Sequence, residues 1–346
     1  MQGSFIEIPI KTITSLMESK GTLVISSINY EERSLTFLNS LLSNRNQLLA
    51  KFILFVFRSL QDNVYPLEIK KDWNTHCVEN WLKERGVNYK IQKIPYPMGF
   101  YKERIKSNLQ FLLQESDFSD IVLDITAIPR TVLFSILESI RQIQKERKTI
   151  HNLYLVYTTP LKYSIYPHEI GSLETYFSKS PLHELLHYIK TINLIIVPGI
   201  YGNEINVLIE DLKKNSAKIQ NVYLLIPMYK HDLFTSIKIL KMSPNIITTI
   251  LSLFDNSRVY YCFSFHHTMG MLLDIVKKLI INRDEGCLIA PFNAKPIAVS
   301  AFYAYTYLTE KGVWSDVLRM SSVQYSSFYS IGTGEMFCWK VNVDGG

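Results

Sequence analysis

Short runs rich in Val, Ile, Leu, Phe and Tyr alternate with longer amphipathic segments along the whole chain. In the first half these runs show no clear alternation of apolar and polar residues, and they are Thr22–Ser27, Lys51–Phe57, Asn88–Ile94, Asp120–Ile125 and Asn152–Thr158. Strands of this kind are typical of parallel sheets that are buried on both faces. Candidate helices lie between them at Glu31–Ser43, Pro66–Arg85, Tyr101–Gln114 and Arg130–Lys145. The pattern therefore predicts an α/β fold with a doubly wound, mainly parallel five-stranded sheet.

The second half of the chain repeats this plan. Its β-rich runs are Asn193–Pro198, Asn221–Ile226, Arg258–Phe263, Gly286–Ala290 and Val317–Ser322, and they follow the first set at offsets between about 165 and 171 residues. Near-constant spacing over five strands indicates internal duplication. We therefore expect two tandem Rossmann-like units, residues 1–172 and 191–346, joined by a linker helix over residues 173–190.

The amino-acid composition indicates the cellular compartment and the class of ligand. The four cysteines are far apart and form no CxxC pair, which argues against a disulfide framework or a cysteine zinc site. No secretory signal is visible, and no uninterrupted apolar run approaches the roughly 18–20 residues that span a bilayer. We therefore expect a cytoplasmic protein with no membrane association and no resident cofactor. The net charge of +6 allows an anionic ligand without requiring nucleic acid.

The loop after the fourth strand of the first half carries the strongest candidate chemistry. A buried strand runs directly into Asp124 and Thr126, and a helix is expected to begin near Pro129 and Arg130. Backbone N–H groups at a helix start and a guanidinium both favour an anion, most naturally a phosphate. Asp124 could orient Arg130 or bind a ribose hydroxyl, and the alternative is that it only caps the helix.

Other loops reach the same edge of each predicted sheet, because ligands of open α/β sheets bind beyond the carboxyl ends of the strands. Each of these loops follows a strand and offers a polar side chain, a cation or a glycine. The further candidate ligand-binding residues are Ser26, Asn29, Gly199, Asn203, Asn293 and Lys295.

A five-stranded unit with a polar Asp-x-Thr loop before its fourth helix resembles the CRISPR-associated Rossmann fold (CARF) domains. Two such units in one chain resemble the related SAVED sensors of bacterial anti-phage systems. The motif rests on Asp124, Thr126 and Arg130, and Ala127-Ile128-Pro129 stands where those families typically have Gly-Gly. The resemblance implies a nucleotide or oligonucleotide messenger held between two units. It also implies a separate effector chain, because no effector segment is visible in this sequence.

A second motif points to different chemistry. His183-Glu184-Leu185-Leu186-His187 matches H-E-x-x-H, in which two histidines one helical turn apart bind Zn²⁺ and the glutamate acts as general base. Glu204 lies at a spacing that resembles the third ligand of gluzincin peptidases. The buried strand expected before Glu204 departs from that pattern, so an amphipathic linker helix with inward leucines is the favoured interpretation.

Together these features predict a ligand-sensing or regulatory subunit of a prokaryotic antiviral defence system, with a nucleotide-type ligand in the cleft between the halves. The alternative is a hydrolase, either zinc-dependent through His183, Glu184 and His187 or nucleotide-cleaving in the same cleft. Partners expected from this interpretation are the small ligand and an effector chain, and the architecture also allows homo-oligomers.

The linker-helix interpretation predicts that the purified protein holds no stoichiometric zinc, because no plausible third ligand lies on a neighbouring helix. Elemental analysis by mass spectrometry of the purified chain measures this directly. Stoichiometric zinc that is lost in His187→Ala would support the hydrolase instead.

Overall fold

The computed structural model describes residues 3–42, 48–59, 65–96, 101–114, 118–147, 150–163, 170–178, 189, 191–199, 202–215, 217–229, 233–279, 285–322 and 330–343. The chain divides into two compact units. The N-terminal unit comprises residues 5–164 and 327–344, and the C-terminal unit comprises residues 1–4, 165–326 and 345–346.

Strands and helices alternate through most of the chain. The strands are β1 (Gly3–Glu7), β2 (Thr22–Ile28), β3 (Lys51–Ser59), β4 (Tyr89–Tyr96), β5 (Asp120–Asp124), β6 (Asn152–Thr158), β7 (Lys162–Tyr163), β8 (Ile170–Thr175), β9 (Thr191–Val197), β10 (Ile219–Pro227), β11 (Ser257–Cys262), β12 (Glu285–Pro291), β13 (Trp314–Ser322), β14 (Ser330–Ile331) and β15 (Met336–Val343). The helices are α1 (Ile10–Leu16), α2 (Thr36–Leu42), α3 (Tyr65–Glu84), α4 (Tyr101–Gln114), α5 (Arg130–Arg147), α6 (Asn203–Lys214), α7 (Leu233–Leu253), α8 (Phe265–Lys278) and α9 (Lys295–Glu310), with a 3₁₀ turn at Glu32–Leu35.

The N-terminal unit is built on a seven-stranded sheet in the order β1-β15-β6-β5-β2-β3-β4. Strands β6, β5, β2, β3 and β4 run parallel, whereas β15 pairs antiparallel with β6. A small antiparallel pair, β7 with β14, belongs to the same unit. The order of the strands reverses at β2, because β3 and β4 lie on one side of it and β5 and β6 lie on the other.

The C-terminal unit has a six-stranded sheet in the order β11-β10-β9-β12-β13-β8. Strands β11, β10, β9, β12 and β13 run parallel, and β8 pairs antiparallel with β13. The strand order of this sheet reverses at β9, the first of its five parallel strands along the chain. Each sheet therefore has a switch point, between β2 and β5 in one unit and between β9 and β12 in the other.

The central strands are buried because helices cover both faces of each sheet. All seven residues of β2 and all seven of β12 are buried. Helix α6 shows the matching pattern, with Ile205, Leu208, Ile209 and Leu212 buried at helical spacing. These leucines and isoleucines pack with the apolar residues of β9, β10 and β12 in one cluster.

The turn after β8 is held by a buried carboxylate. Asp316, in β13, is 1% exposed and accepts hydrogen bonds from the backbone N–H groups of Tyr176, Phe177 and Val317 through Oδ1 and of Ser178 through Oδ2, at 2.7–3.0 Å. A buried carboxylate needs such donors to offset its lost hydration. The three bonds from Tyr176, Phe177 and Ser178 therefore attach the end of β8 to β13.

The observed sheets differ from the predicted pair of five-stranded units. The α/β class is confirmed, but the sheets contain seven and six strands and are mixed, because antiparallel β15 and β8 extend the parallel strands. The unit boundaries differ too, since β15 lies in the N-terminal sheet. Residues 173–175 of the predicted linker helix belong to β8, and residues 179–188 lie outside the described part of the chain.

Among the helices that the structure describes, none is long and apolar enough to cross a membrane.

Thiol reactivity tests this packing. Cys77 is exposed on α3, whereas Cys262, Cys287 and Cys338 are buried, and burial raises the pKa of Cys262 to about 11 and of the other two to about 12. Because the thiolate is the reactive form, we expect Ellman's reagent at pH 8 to modify one thiol rapidly and the other three only in denaturant. Cys77→Ser should abolish the rapid phase, and a second rapid thiol in the folded protein would contradict the packing.

Candidate functional site

Asp124 lies at the carboxyl end of β5, at the switch point of the N-terminal sheet, and is 1% exposed. Its Oδ2 accepts a hydrogen bond from Ser26 Oγ at 2.8 Å, and its Oδ1 accepts one from the backbone N–H of Thr126 at 3.0 Å. These two bonds join β2, β5 and the loop that follows β5. The predicted group Ser26, Asp124 and Thr126 is thus assembled, with Asp124 bonded inward.

The hydrogen bonds continue from Thr126 across the edge of the sheet. Thr126 Oγ1 accepts from the backbone N–H of Thr158 at 3.0 Å, and the Thr158 carbonyl accepts from Arg33 Nη1 at 3.4 Å. Arg33 is 5% exposed and its Nε donates to Glu31 Oε2 at 2.7 Å. A continuous polar network therefore connects the ends of β2, β5 and β6 to the 3₁₀ turn.

Thr158 also carries a hydroxyl that the network does not use. Its Oγ1 is buried and has no hydrogen-bond partner within the described residues. Val156 is paired with Asp124 in the β5–β6 register, so Thr158, two residues further on, is on the same face of the sheet as Asp124. Leaving a buried hydroxyl unsatisfied is costly, which makes this position a candidate contact for a polar ligand.

The loop after β2 is shaped by Asn29. The Asn29 side-chain oxygen accepts from the Tyr30 N–H at 2.8 Å, and its carbonyl accepts from Asn74 Nδ2 at 2.7 Å. Burial, followed by the charge of Glu31, raises the pKa of Tyr30 to about 12. Tyr30 therefore stays protonated at neutral pH and presents a hydroxyl donor beside Arg33.

Basic residues at the next strand end are occupied by internal partners. Arg58 pairs with Glu68 and Asp72, and Lys71 donates to the Phe57 carbonyl at 2.5 Å and to Glu68 Oε1 at 2.6 Å. Burial lowers the pKa of Lys71, and Glu68 partly opposes that shift. These contacts hold α3 against β3.

Arg130 is the first residue of α5 and is half-buried. No acidic residue lies in the first turn of that helix. The structure thus places Arg130 at a helix start beyond β5, the position that the sequence predicts.

At the corresponding edge of the C-terminal unit a neutral amide links the loops. Gly199 follows β9, and a Cβ atom there would lie 2.6 Å from Glu204 Oε1 and 3.0 Å from the Phe292 carbonyl. Asn293 is buried, donates to the Pro198 carbonyl at 2.9 Å and accepts from the Tyr229 hydroxyl at 3.1 Å and from the Ala294 N–H at 2.8 Å. The glycine allows the two loops to approach, and the amide of Asn293 links them.

The two remaining candidates of this unit lie at helix starts. Lys295 is the first residue of α9, whose first turn has no acidic residue and whose N-cap, Ala294, makes no side-chain cap. Asn203 is the first residue of α6 and is exposed. Lys295 thus repeats the placement of Arg130 in the other unit.

The zinc hypothesis falls largely outside the described residues. His183, Glu184 and His187 are not among them. Glu204 is described and lies against Gly199, at the second position of α6. Within the described part of the chain, no group of three or more His, Cys, Asp or Glu residues could hold a metal ion.

Sequence reasoning missed the buried Arg33–Glu31 pair and the role of Thr158. The run Glu31-Glu32-Arg33 reads as a solvated helix start, because an arginine that is buried in a 3₁₀ turn has the same local sequence as an exposed one. The only signal was the position of this run directly after a buried strand.

Comparison with models of known protein families finds none that matches the chain, and comparison with curated proteins finds no similar sequence.

The network predicts that Asp124→Ala destabilises the protein by about 3 kcal/mol, because it leaves a buried hydroxyl and a buried N–H without their acceptor. Asp124→Asn, which can keep one of the two bonds as an acceptor, should cost roughly half as much. Urea unfolding measures both, with exposed Asp274→Ala as the matched control expected within about 0.5 kcal/mol of wild type. A wild-type midpoint for Asp124→Ala would show that the carboxylate is dispensable.

Proposed function

We propose that this protein is a ligand-sensing or regulatory subunit that binds a nucleotide-type anion at the carboxyl ends of its parallel strands. One observation carries the proposal: at the switch point of each sheet, the helix after the fourth strand begins on a basic residue, Arg130 in α5 and Lys295 in α9. The same point of open α/β sheets is where ligands bind.

The electrostatics of these helix starts support an anion. The N-terminus of a helix carries partial positive charge and unpaired backbone N–H groups, and both α5 and α9 begin on a basic residue. A phosphate group at the same place interacts favourably with the backbone N–H groups and with the basic side chain. The tyrosine hydroxyl of Tyr30 and the buried Thr158 Oγ1 add donors at the edge of the N-terminal sheet.

We also propose that the two units arose by internal duplication. The five parallel strands follow one spatial order in both units, with the third, second, first, fourth and fifth strands side by side. The registers support it as well, since Val24 pairs with Phe52 and Val122, and Leu194 pairs with Val222 and Leu288.

The resemblance to CARF and SAVED sensors extends the proposal to the identity of the ligand, the partner and the biological role. On that basis we propose an oligonucleotide messenger as ligand, a separate effector chain as partner and a role in prokaryotic antiviral defence. The rigid network around Asp124 supports a sensing role, because it fixes the loops that a ligand would contact without offering an activated nucleophile.

Arg130→Ala and Lys295→Ala test the site. Each should change stability by less than about 1 kcal/mol, as expected for partly exposed charges, yet weaken nucleotide binding by about 1.5–3 kcal/mol. The measurement is thermal melting of each variant with AMP, ATP and linear and cyclic oligonucleotides of two to six residues. Lys241→Ala, which removes an exposed lysine from α7, is the control and should respond as wild type does.

Two outcomes would contradict the proposal. One is a wild-type protein whose melting temperature is unchanged by every nucleotide in the panel. The other is a wild-type shift that both Arg130→Ala and Lys295→Ala retain in full, which would make these residues ordinary helix starts.

A further inference from the structure

The outer edge of β11 is an uncovered sheet edge. Strand β11 ends the C-terminal sheet and pairs in parallel with β10 on its inner side. Among the described strands it has no second neighbour. Such an edge presents a row of backbone N–H and C=O groups that another extended chain can pair with.

Strand β4 ends the N-terminal sheet at the corresponding place, and it is protected. Lys90 and Lys93 are exposed along it, and Pro95 near its end has no N–H to donate. Exposed lysines and a proline are the usual devices by which proteins block edge-to-edge pairing. The first sheet therefore resists addition of a further strand.

The register of each sheet allows a position-by-position comparison of the two edges. Phe52 pairs with Tyr89 at the start of β4, and Val222 pairs with Ser257 at the start of β11. Counting from these starts, Lys93 corresponds to Tyr261 and Pro95 to Phe263. Aromatic residues thus stand where β4 has its protecting lysine and proline: Tyr261 in β11 and Phe263 directly after it, 44% and 49% exposed.

One charge lies in β11. Arg258, which corresponds to Lys90, is exposed, and its guanidinium lies 5.9 Å from the centre of the Tyr223 ring, on the neighbouring strand β10. The β11 edge therefore carries a single cation, where β4 carries two lysines and a proline. No other residue of Ser257–Cys262 is charged.

Exposed apolar residues also lie on helix α7, which connects β10 to β11. On it Leu233, Ile237 and Leu240 are 68%, 50% and 39% exposed at helical spacing. Exposed aromatic and aliphatic side chains on these two consecutive elements are typical of an interaction surface.

We propose that β11 pairs antiparallel with β11 of a second copy of this chain. An extended chain can pair with the outward N–H and C=O groups in place of water, and the single cation of this edge permits pairing with its own copy. With the two-fold axis at Tyr260, Val259 lies opposite the partner's Tyr261, and the two Arg258 residues are four positions apart, about 13 Å along the strand. The same pairing of β4 about Gln92 would bring two Lys93 residues within about 7 Å.

The experiment uses the full chain. Sedimentation velocity from about 1 to about 100 µM should show a monomer–dimer equilibrium for wild type. Tyr261→Lys, which restores the residue type found in β4, should weaken dimerisation at least tenfold, and Phe263→Lys should act in the same direction. Phe111→Lys on α4 removes an equally exposed aromatic residue and adds the same charge elsewhere, so it should dimerise as wild type does.

Hydrogen exchange locates the contact between the two copies, and melting temperatures show whether the variants are folded. Amides of residues 257–262 should gain protection with increasing wild-type concentration, and the melting temperature of Tyr261→Lys should equal that of Phe111→Lys. A monomeric wild type over the whole range would overturn the proposal. So would a dimer that Tyr261→Lys leaves intact, or a different polypeptide that copurifies on this edge and is lost in Tyr261→Lys.

Discussion

A buried carboxylate sets the geometry of the N-terminal unit. Asp124 is almost inaccessible to water, so its charge must be stabilised by hydrogen bonds, which it receives from Ser26 and from the backbone of Thr126. These donors belong to the two strands between which the sheet changes direction. Because both oxygens are engaged, the spacing of the β2 and β5 ends is fixed, and the loop that carries Arg130 is fixed with it. The edge around Asp124 is therefore a preorganised surface.

In the C-terminal unit a neutral amide links the corresponding loops. Asn293 uses its amide to link the loop after β9, the loop after β12 and Tyr229, and Gly199 lets the two loops approach without a side chain between them. Neutral hydrogen bonds are weaker than those to a carboxylate, so these loops depend more on close packing. Two sheets of one strand order thus have chemically unlike edges.

The outermost strands of each sheet determine whether a further strand can pair with it. In each unit an antiparallel strand covers the outer side of the fifth parallel strand, β15 beside β6 and β8 beside β13. The sequence-distant β15 lies beside β6 in the N-terminal sheet. On the opposite side, β4 is protected by lysine and proline, whereas a tyrosine in β11 and a phenylalanine directly after it stand at those positions. Among the described strands, β11 therefore leaves the edge of the C-terminal sheet open.

Much of the fold follows from the sequence alone, since strands that are buried on both faces must be apolar throughout and helices between them must be amphipathic. The α/β class, the ten parallel strands and the loops with Asp124, Arg130 and Lys295 were predictable for that reason. The partners of β8 and β15 were not, because antiparallel edge pairing joins distant segments and leaves no local periodicity. The inward bonds of Asp124 and the burial of Arg33 were decided only by the tertiary structure, since the same residues occur in solvated helix starts and only their surroundings remove them from water.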